Sequence, residues 1–66
     1  MSYYDYQMSR QISATDPPFY ALIMAAMRKA DTHNMALLKS AFPFVYREVM
    51  DRYNAPGGTL TTDGVV

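Results

Sequence analysis

Cysteine and tryptophan are absent from this chain of 66 residues. Without cysteine, neither a disulfide nor a thiolate-based zinc cluster can stabilise a fold of this size. Long apolar runs are missing too, because the longest uncharged apolar stretch, residues 17–27, is shorter than the roughly 20 residues that span a bilayer. Stability must therefore come from packing, from the terminal segments or from association with another chain.

An excess of charge of either sign is also missing, because six basic side chains balance six acidic ones. Affinity for a polyanion rises with the number of lysine and arginine side chains brought to its phosphates. The balanced charge therefore argues against nucleic acid as the main partner of this protein.

Residue combinations that carry catalysis or metal binding are scarce. His33 is the only histidine, and without a second histidine or a cysteine it cannot form a usual zinc site. Gly57 and Gly58 are not followed by the lysine-bearing helix of a phosphate-binding loop. Glu48 and Asp51 fit helix salt bridges better than a general acid and base. We expect no catalytic residue, no metal site, no cofactor and no small-molecule substrate.

Capping signals and helical periodicity predict an all-α fold. Asp16 followed by Pro17 is a typical helix start, and Asp31 with Thr32 provides a second one. Pro43 can open a third helix while disfavouring helical geometry at the residue before it. Because the connections are short, we expect a compact three-helix domain. The helices are predicted at about 17–30, 32–41 and 43–54.

Each predicted helix has an apolar stripe that should face the core. The methionines within helices are expected to fill the core, at least three of the four at positions 24, 27, 35 and 50. The inward stripes are Phe19, Leu22, Ile23, Ala26, Met27 and Ala30, then Met35, Leu38 and Phe42, then Val45, Tyr46, Val49, Met50 and Tyr53.

The two ends of the chain differ from the middle in composition. Residues 1–14 are predicted to be an extended, tyrosine-rich N-terminal arm, because aromatic and apolar residues alternate there without a helical period. Residues 15–56 then form the three-helix domain. The Pro-Gly-Gly sequence stops the last helix, and residues 57–66 are predicted to be a short C-terminal tail.

The first predicted helix has no polar side. Ala21, Met24 and Ala25 lie opposite its core stripe, and no charge occurs before Arg28, whereas a surface helix usually carries charges on its outer face. Two short helices cover only one stripe. The second face should therefore be covered by the N-terminal arm, by a second copy of the chain or by a foreign protein.

A protein-contact surface is the hypothesis that these observations favour. Large aromatic side chains with a hydroxyl group are typical of interfaces. A tyrosine arm that folds back on the first helix is the alternative, and the sequence favours neither. The helical wheel also turns Leu37 and Phe44 away from the core stripes of their helices. Candidate partner-binding residues are Tyr3, Tyr4, Tyr6, Met24, Arg28 and Phe44.

A DNA-binding regulator of the helix-turn-helix type is the alternative hypothesis. It would use Arg47 and Arg52 on the exposed side of the last helix. Glu48 and Asp51 share that side and would repel phosphates.

Several short motifs are concentrated between residues 16 and 58. They are Ala30-Asp31-Thr32 with Asn34, Leu38, Phe42-Pro43, Glu48, and Arg52-Tyr53-Asn54-Ala55-Pro56-Gly57-Gly58. In these motifs the chain resembles a group of small uncharacterised helical proteins encoded by phages, prophages and related mobile elements. The resemblance implies a helical fold and supplies no catalytic residue.

We therefore expect a non-enzymatic interaction protein that docks onto another protein or onto itself. Inhibition of a host factor or defence complex fits this expectation, and so does a virion or assembly component. The expected location is the host cytoplasm or the virion.

Overall fold

The computed structural model describes residues 1–60 and Asp63. Within these residues the chain is helical and has no strand, which confirms the predicted all-α class. It contains four α-helices instead of three. Of the predicted C-terminal tail, residues 61, 62 and 64–66 lie outside the description. The elements are α1 (Tyr3–Ala14), α2 (Phe19–Lys29), α3 (Thr32–Ala41) and α4 (Pro43–Tyr53), followed by a 3-10 turn (Pro56–Gly58).

Helix α1 occupies the segment that was expected to be an extended arm, so that prediction was wrong. Ser2 caps the helix, because its Oγ accepts a hydrogen bond of 3.1 Å from the backbone N–H of Asp5. Asp5 also places a negative charge in the first turn, where the helix dipole favours it. Tyr4, Met8 and Ile12 are spaced by four and share one side of the helix. The cap and this spacing outweigh the short alternation on which the arm was predicted.

Helix α2 begins two residues later than predicted. Asp16 is not its cap, because Asp16 has a φ of +53° and the helix starts after Pro18 without a side-chain cap. A residue that precedes proline avoids helical geometry, and here two prolines follow Asp16 in succession. The chain therefore enters α2 only at Phe19.

Helices α3 and α4 follow the predicted boundaries closely. Asp31 caps α3, with its Oδ1 accepting a 2.8 Å hydrogen bond from the N–H of Asn34. The predicted bend lies at Phe42, whose φ of −132° and ψ of 65° separate the two helices. Pro43 is the first residue of α4, and the helix ends at Tyr53, one residue earlier than predicted.

Helices α2, α3 and α4 pack into a small compact unit around Met27, which is only 2% exposed. Half-buried side chains of the same three helices include Ile23, Met35, Leu38, Val45 and Val49. The predicted inward stripes of α3 and α4 are confirmed in large part, although Met50 and Tyr53 are exposed. Of the four methionines expected to fill the core, Met27 is fully buried, Met24 and Met35 are half-buried and Met50 is exposed.

The inward stripe of α2 is confirmed at Leu22, Ile23, Met27 and Ala30, but the rotation of the helix differs from the prediction at three other positions. Phe19 and Ala26 were expected to face inward and are exposed, whereas Met24 was placed on the outer face and is half-buried. A helix that is apolar on every side gives no polar stripe from which its rotation can be deduced. The packing partners on α3 and α4 set the rotation instead.

Helix α1 lies outside the packed unit. All of its residues are exposed except Met8, which is half-buried. The radius of gyration is 13.9 Å, against about 11 Å for a compact chain of this length. The protein therefore presents an entire helix to its surroundings.

Candidate protein-interaction surface

Three predicted contact residues lie together on α1. Tyr3, Tyr4 and Tyr6 are 72%, 67% and 59% exposed, and the rings of Tyr3 and Tyr6 stack with centroids 6.5 Å apart. Among the described residues, no hydrogen bond, ion pair or aromatic contact joins α1 to the α2–α4 unit. The tyrosines thus do not fold back on α2 in this structure.

A larger groove runs between α2 and α4 and has a volume of about 950 Å³. Met24 and Met27 of α2, Met35 of α3 and Met50 of α4 line its walls. Methionine side chains are flexible and polarisable, so a wall made of them adapts to apolar groups of different shape. The predicted contact residue Arg28 is exposed and also lines this groove.

Arg52 fixes the wall of the larger groove that the end of α4 and the 3-10 turn form. Its Nη1 donates to the carbonyl oxygen of Gly58 at 2.9 Å and to Asp63 Oδ2 at 2.7 Å, while its Nη2 donates to Asp63 Oδ1 at 2.8 Å. This forked pairing is the favoured geometry between a guanidinium and a carboxylate. Glu48 adds a longer ion pair at 3.6 Å. These contacts of Arg52 with Gly58, Asp63 and Glu48, called here the clamp, hold the 3-10 turn against the end of α4.

The clamp shifts the ionisation of both partners. Hydrogen bonds from Arg52 and from the N–H of Leu60 lower the pKa of Asp63 from 3.8 to about 2. The hydrogen bond from Asp63 raises the pKa of Arg52 above its ordinary value, so the pair stays charged at neutral pH.

The clamp also weakens the DNA-binding alternative. Arg52 was one of the two arginines expected to contact phosphates, and its guanidinium is already bound to carboxylates. The remaining arginine, Arg47, is exposed, but it shares α4 with Asp51, which is also exposed. A single exposed arginine of α4 that lies beside acidic side chains gives low affinity for the phosphates of DNA.

A smaller groove of about 460 Å³ lies where α2 meets the junction of α3 and α4. Phe44 stands at this groove with 80% of its surface exposed. Tyr20, which also lines the groove, is 56% exposed, and Met24 lies between the two grooves. The prediction that Phe44 and Leu37 point outward is confirmed, since Leu37 is 56% exposed.

The predicted contact residues therefore form two separate groups instead of one surface. The three tyrosines are on α1, and Met24, Arg28 and Phe44 border the grooves. Met24 is half-buried and can contribute only as part of a groove wall.

Among residues 1–60 and Asp63, nothing covers the outer face of α2, where Ala21 and Ala25 are exposed. The expected cover by the N-terminal segment is therefore not seen, and cover by a second copy or a foreign protein stays a prediction. An exposed alanine methyl group costs little, because single exposed apolar residues are common. These two alanines therefore do not by themselves require an interaction surface.

Sequence reasoning missed two features of this surface. The Arg52–Asp63 clamp joins residues 11 apart through a turn, and no helical spacing indicates such a pair. Met8 and Ile12 were assigned to the arm, although the spacing Tyr4–Met8–Ile12 and the Ser2 cap together could have indicated an apolar helix side.

Residues 1–60 and Asp63 show neither a metal-binding cluster nor a membrane-spanning helix. No group of three or more metal-binding side chains occurs in that part of the chain. None of its helices combines the length and the apolar character needed to cross a bilayer. Comparison with protein-family models, with curated proteins and with solved structures finds no match to this chain.

Proposed function

We propose that this chain is a small non-catalytic interaction protein, encoded by a phage or related mobile element, that acts by docking onto another protein or onto a second copy of itself. Inhibition of a host factor or defence complex and a role in the virion or its assembly are the two settings that fit. The phage origin rests on the resemblance of the short motifs between residues 16 and 58.

One observation carries the proposal: large apolar and aromatic side chains are exposed on a very small protein. Phe44 at 80%, Tyr3 at 72% and Tyr20 at 56% are exposed, whereas small soluble monomers rarely show large contiguous apolar patches. Full burial of one such side chain contributes about 1.5–3 kcal/mol. Two or three of them are enough to anchor an interface.

The proposal is tested by affinity capture with three forms of the chain. The wild type, Phe44→Glu and Leu37→Glu are immobilised and exposed to host-cell lysate and to untagged copies of the chain. Leu37→Glu is the matched control, since it adds the same charge at an exposed aliphatic residue that lines neither groove. We expect the wild type and Leu37→Glu to retain the same protein, and Phe44→Glu to lose it.

Salt dependence separates this function from the DNA-binding alternative. Docking through apolar side chains should tolerate added salt, whereas phosphate contacts weaken steeply with it. Retention of duplex DNA that is lost with salt and with Arg47→Ala, but unchanged in Phe44→Glu, would contradict the proposal.

A further inference from the structure

We propose that the larger groove binds helix α1 of a second copy of this chain, so that two copies exchange their N-terminal helices in a symmetric dimer. This inference rests on the proposed function, because it names the partner of one surface of an interaction protein. It leaves the smaller groove and Phe44 free for a different protein.

Helix α1 needs a partner to be stable. It has 12 residues and none of them is fully buried, and isolated helices shorter than about 12–15 residues are marginal in water. Its side formed by Tyr4, Met8 and Ile12, called here the α1 stripe, contacts no other helix through a hydrogen bond or aromatic pair among the described residues. Docking against an apolar wall would supply the packing that α1 lacks.

The larger groove can accept about one turn of such a helix. Residues 24–28 of α2, residues 49–53 of α4 and the 3-10 turn line it, so each helix borders the groove over about 6 Å, and the turn of α1 around Met8 can enter it. Amphipathic helices commonly bind in apolar grooves through side chains spaced by three or four. The methionines of this groove can adjust to the tyrosine, methionine and isoleucine of the stripe.

The charges of the helix and the groove are complementary. Arg28 at the groove has no ion-pair partner within residues 1–60 and Asp63, whereas Arg52 is neutralised by its clamp. On α1, Asp5 lies within about 60° of Met8 around the helix axis, and Arg10 lies about 160° away from Met8. The α1 stripe therefore brings Asp5 towards Arg28 of the second copy. The N-terminal amine lies 3.8 Å from Asp5, but an exposed ion pair of this kind contributes little.

The connection between α1 and α2 favours exchange over folding back. It consists of residues 15–18, in which Asp16 has a positive φ and Pro17 and Pro18 follow. Proline fixes its own φ and restricts the residue before it, so this short connection holds α1 away from the α2–α4 unit to which it is joined.

The available area is sufficient for a stable dimer. The accessible area of the whole chain, terminal residues included, is 5807 Å². A folded monomer of the same mass exposes about 4,200 Å², so the chain has about 1,600 Å² in excess. A standard interface needs about 800 Å² from each partner. The net charge of zero also means that two copies do not repel each other.

The first test is the solution mass of the full chain across a range of concentrations. We expect the wild type to reach twice the chain mass of 7.5 kDa. Met8→Glu should weaken the dimer roughly a hundredfold or more, because the charge is buried at two symmetry-related sites. Gln7→Glu adds the same charge one position away, about 100° around the helix, and should leave the dimer intact.

The second test uses the absence of native cysteine. Chains carrying Met8→Cys are mixed with chains carrying Met50→Cys under mild oxidation, and we expect a covalent heterodimer to form. The matched mixture of Gln7→Cys with Met50→Cys should cross-link poorly. A chain carrying both Met8→Cys and Met50→Cys that closes within one monomer would overturn the exchange, because α1 would then cover its own groove.

The outcomes separate this inference from the proposed function. A chain that stays monomeric at every concentration, and still captures a foreign protein through Phe44, overturns the exchange and supports the interaction function. A dimer that is unaffected by Met8→Glu also overturns the exchange. A monomer from which Phe44→Glu removes no binding contradicts both proposals.

Discussion

Replacing Met27 by alanine tests where the core of this small protein lies. Met27 is 2% exposed and is the fully buried side chain of the described residues. Truncating a buried methionine to alanine costs about 2–5 kcal/mol, and the cost falls where neighbours can relax into the space. Because Met27 borders the open larger groove, we expect about 2–3 kcal/mol, the lower half of that range.

This loss is large relative to the stability of the chain. At 0.05–0.15 kcal/mol per residue, 66 residues give about 3–10 kcal/mol in total. The Met27→Ala variant should therefore be partly unfolded at room temperature or unfold at a much lower urea concentration. The free energy of unfolding is measured by urea titration of the helical circular dichroism signal at one fixed chain concentration.

Leu37→Ala is the matched control for this experiment. Leu37 is 56% exposed on α3, so its truncation removes a similar volume without opening a cavity and should change the free energy of unfolding by less than about 0.5 kcal/mol. If the two variants lose the same stability, or if Met27→Ala loses less than about 1 kcal/mol, the assignment of the core to this residue is wrong.

Two further predictions concern the ends of the chain. Because the pKa of Asp63 is lowered from 3.8 to about 2, the clamp stabilises the fold above pH 3.8 and loses this contribution as the pH falls towards 2. Nuclear magnetic resonance titration of the Arg52→Gln variant should show the pKa of Asp63 rising towards 3.8. An unchanged pKa would refute the clamp. Ser2→Ala removes the cap of α1 and should cost that helix about 1 kcal/mol, seen at chain concentrations low enough for the monomer as a lower helical signal with an unchanged unfolding midpoint for α2–α4. Ser9→Ala, in the middle of α1, should retain the signal, and equal losses in both variants would contradict the capping role.

The helix boundaries that could be predicted are those fixed by local chemistry. Asp31 and Pro43 define where α3 and α4 begin, because a capping carboxylate and a proline act within one turn of their own position. Asp16 failed as a boundary signal because its φ of +53° lies outside the extended geometry of a capping residue, and because Pro17, which precedes another proline, is disfavoured in a helix. Helix α1 was missed because the alternation of aromatic and apolar residues in residues 1–14 indicated an extended segment, and Ser2 was not recognised as a helix cap.

The packing of α2 could not be predicted from its own residues. Its apolar side chains surround the helix, so the choice between Ala26 and Met24 as the inward residue depends on the shapes of α3 and α4. The grooves follow from that choice, since Met24 borders both of them. Contacts between elements, which a single helical wheel does not contain, therefore decide where a partner can bind.

The reason for expecting a partner also changes with the structure. The sequence placed it on the outer face of α2, but the exposed residues there, Ala21 and Ala25, are small enough to remain in water at little cost. Phe44 and the tyrosines of α1 are much larger and are exposed. In a domain of this size, side chains of that kind are normally buried and stabilise the fold. Met27 is the one fully buried side chain of the described residues, which is a small core for four helices. If association supplies further burial as proposed, the free energy of unfolding should rise with chain concentration.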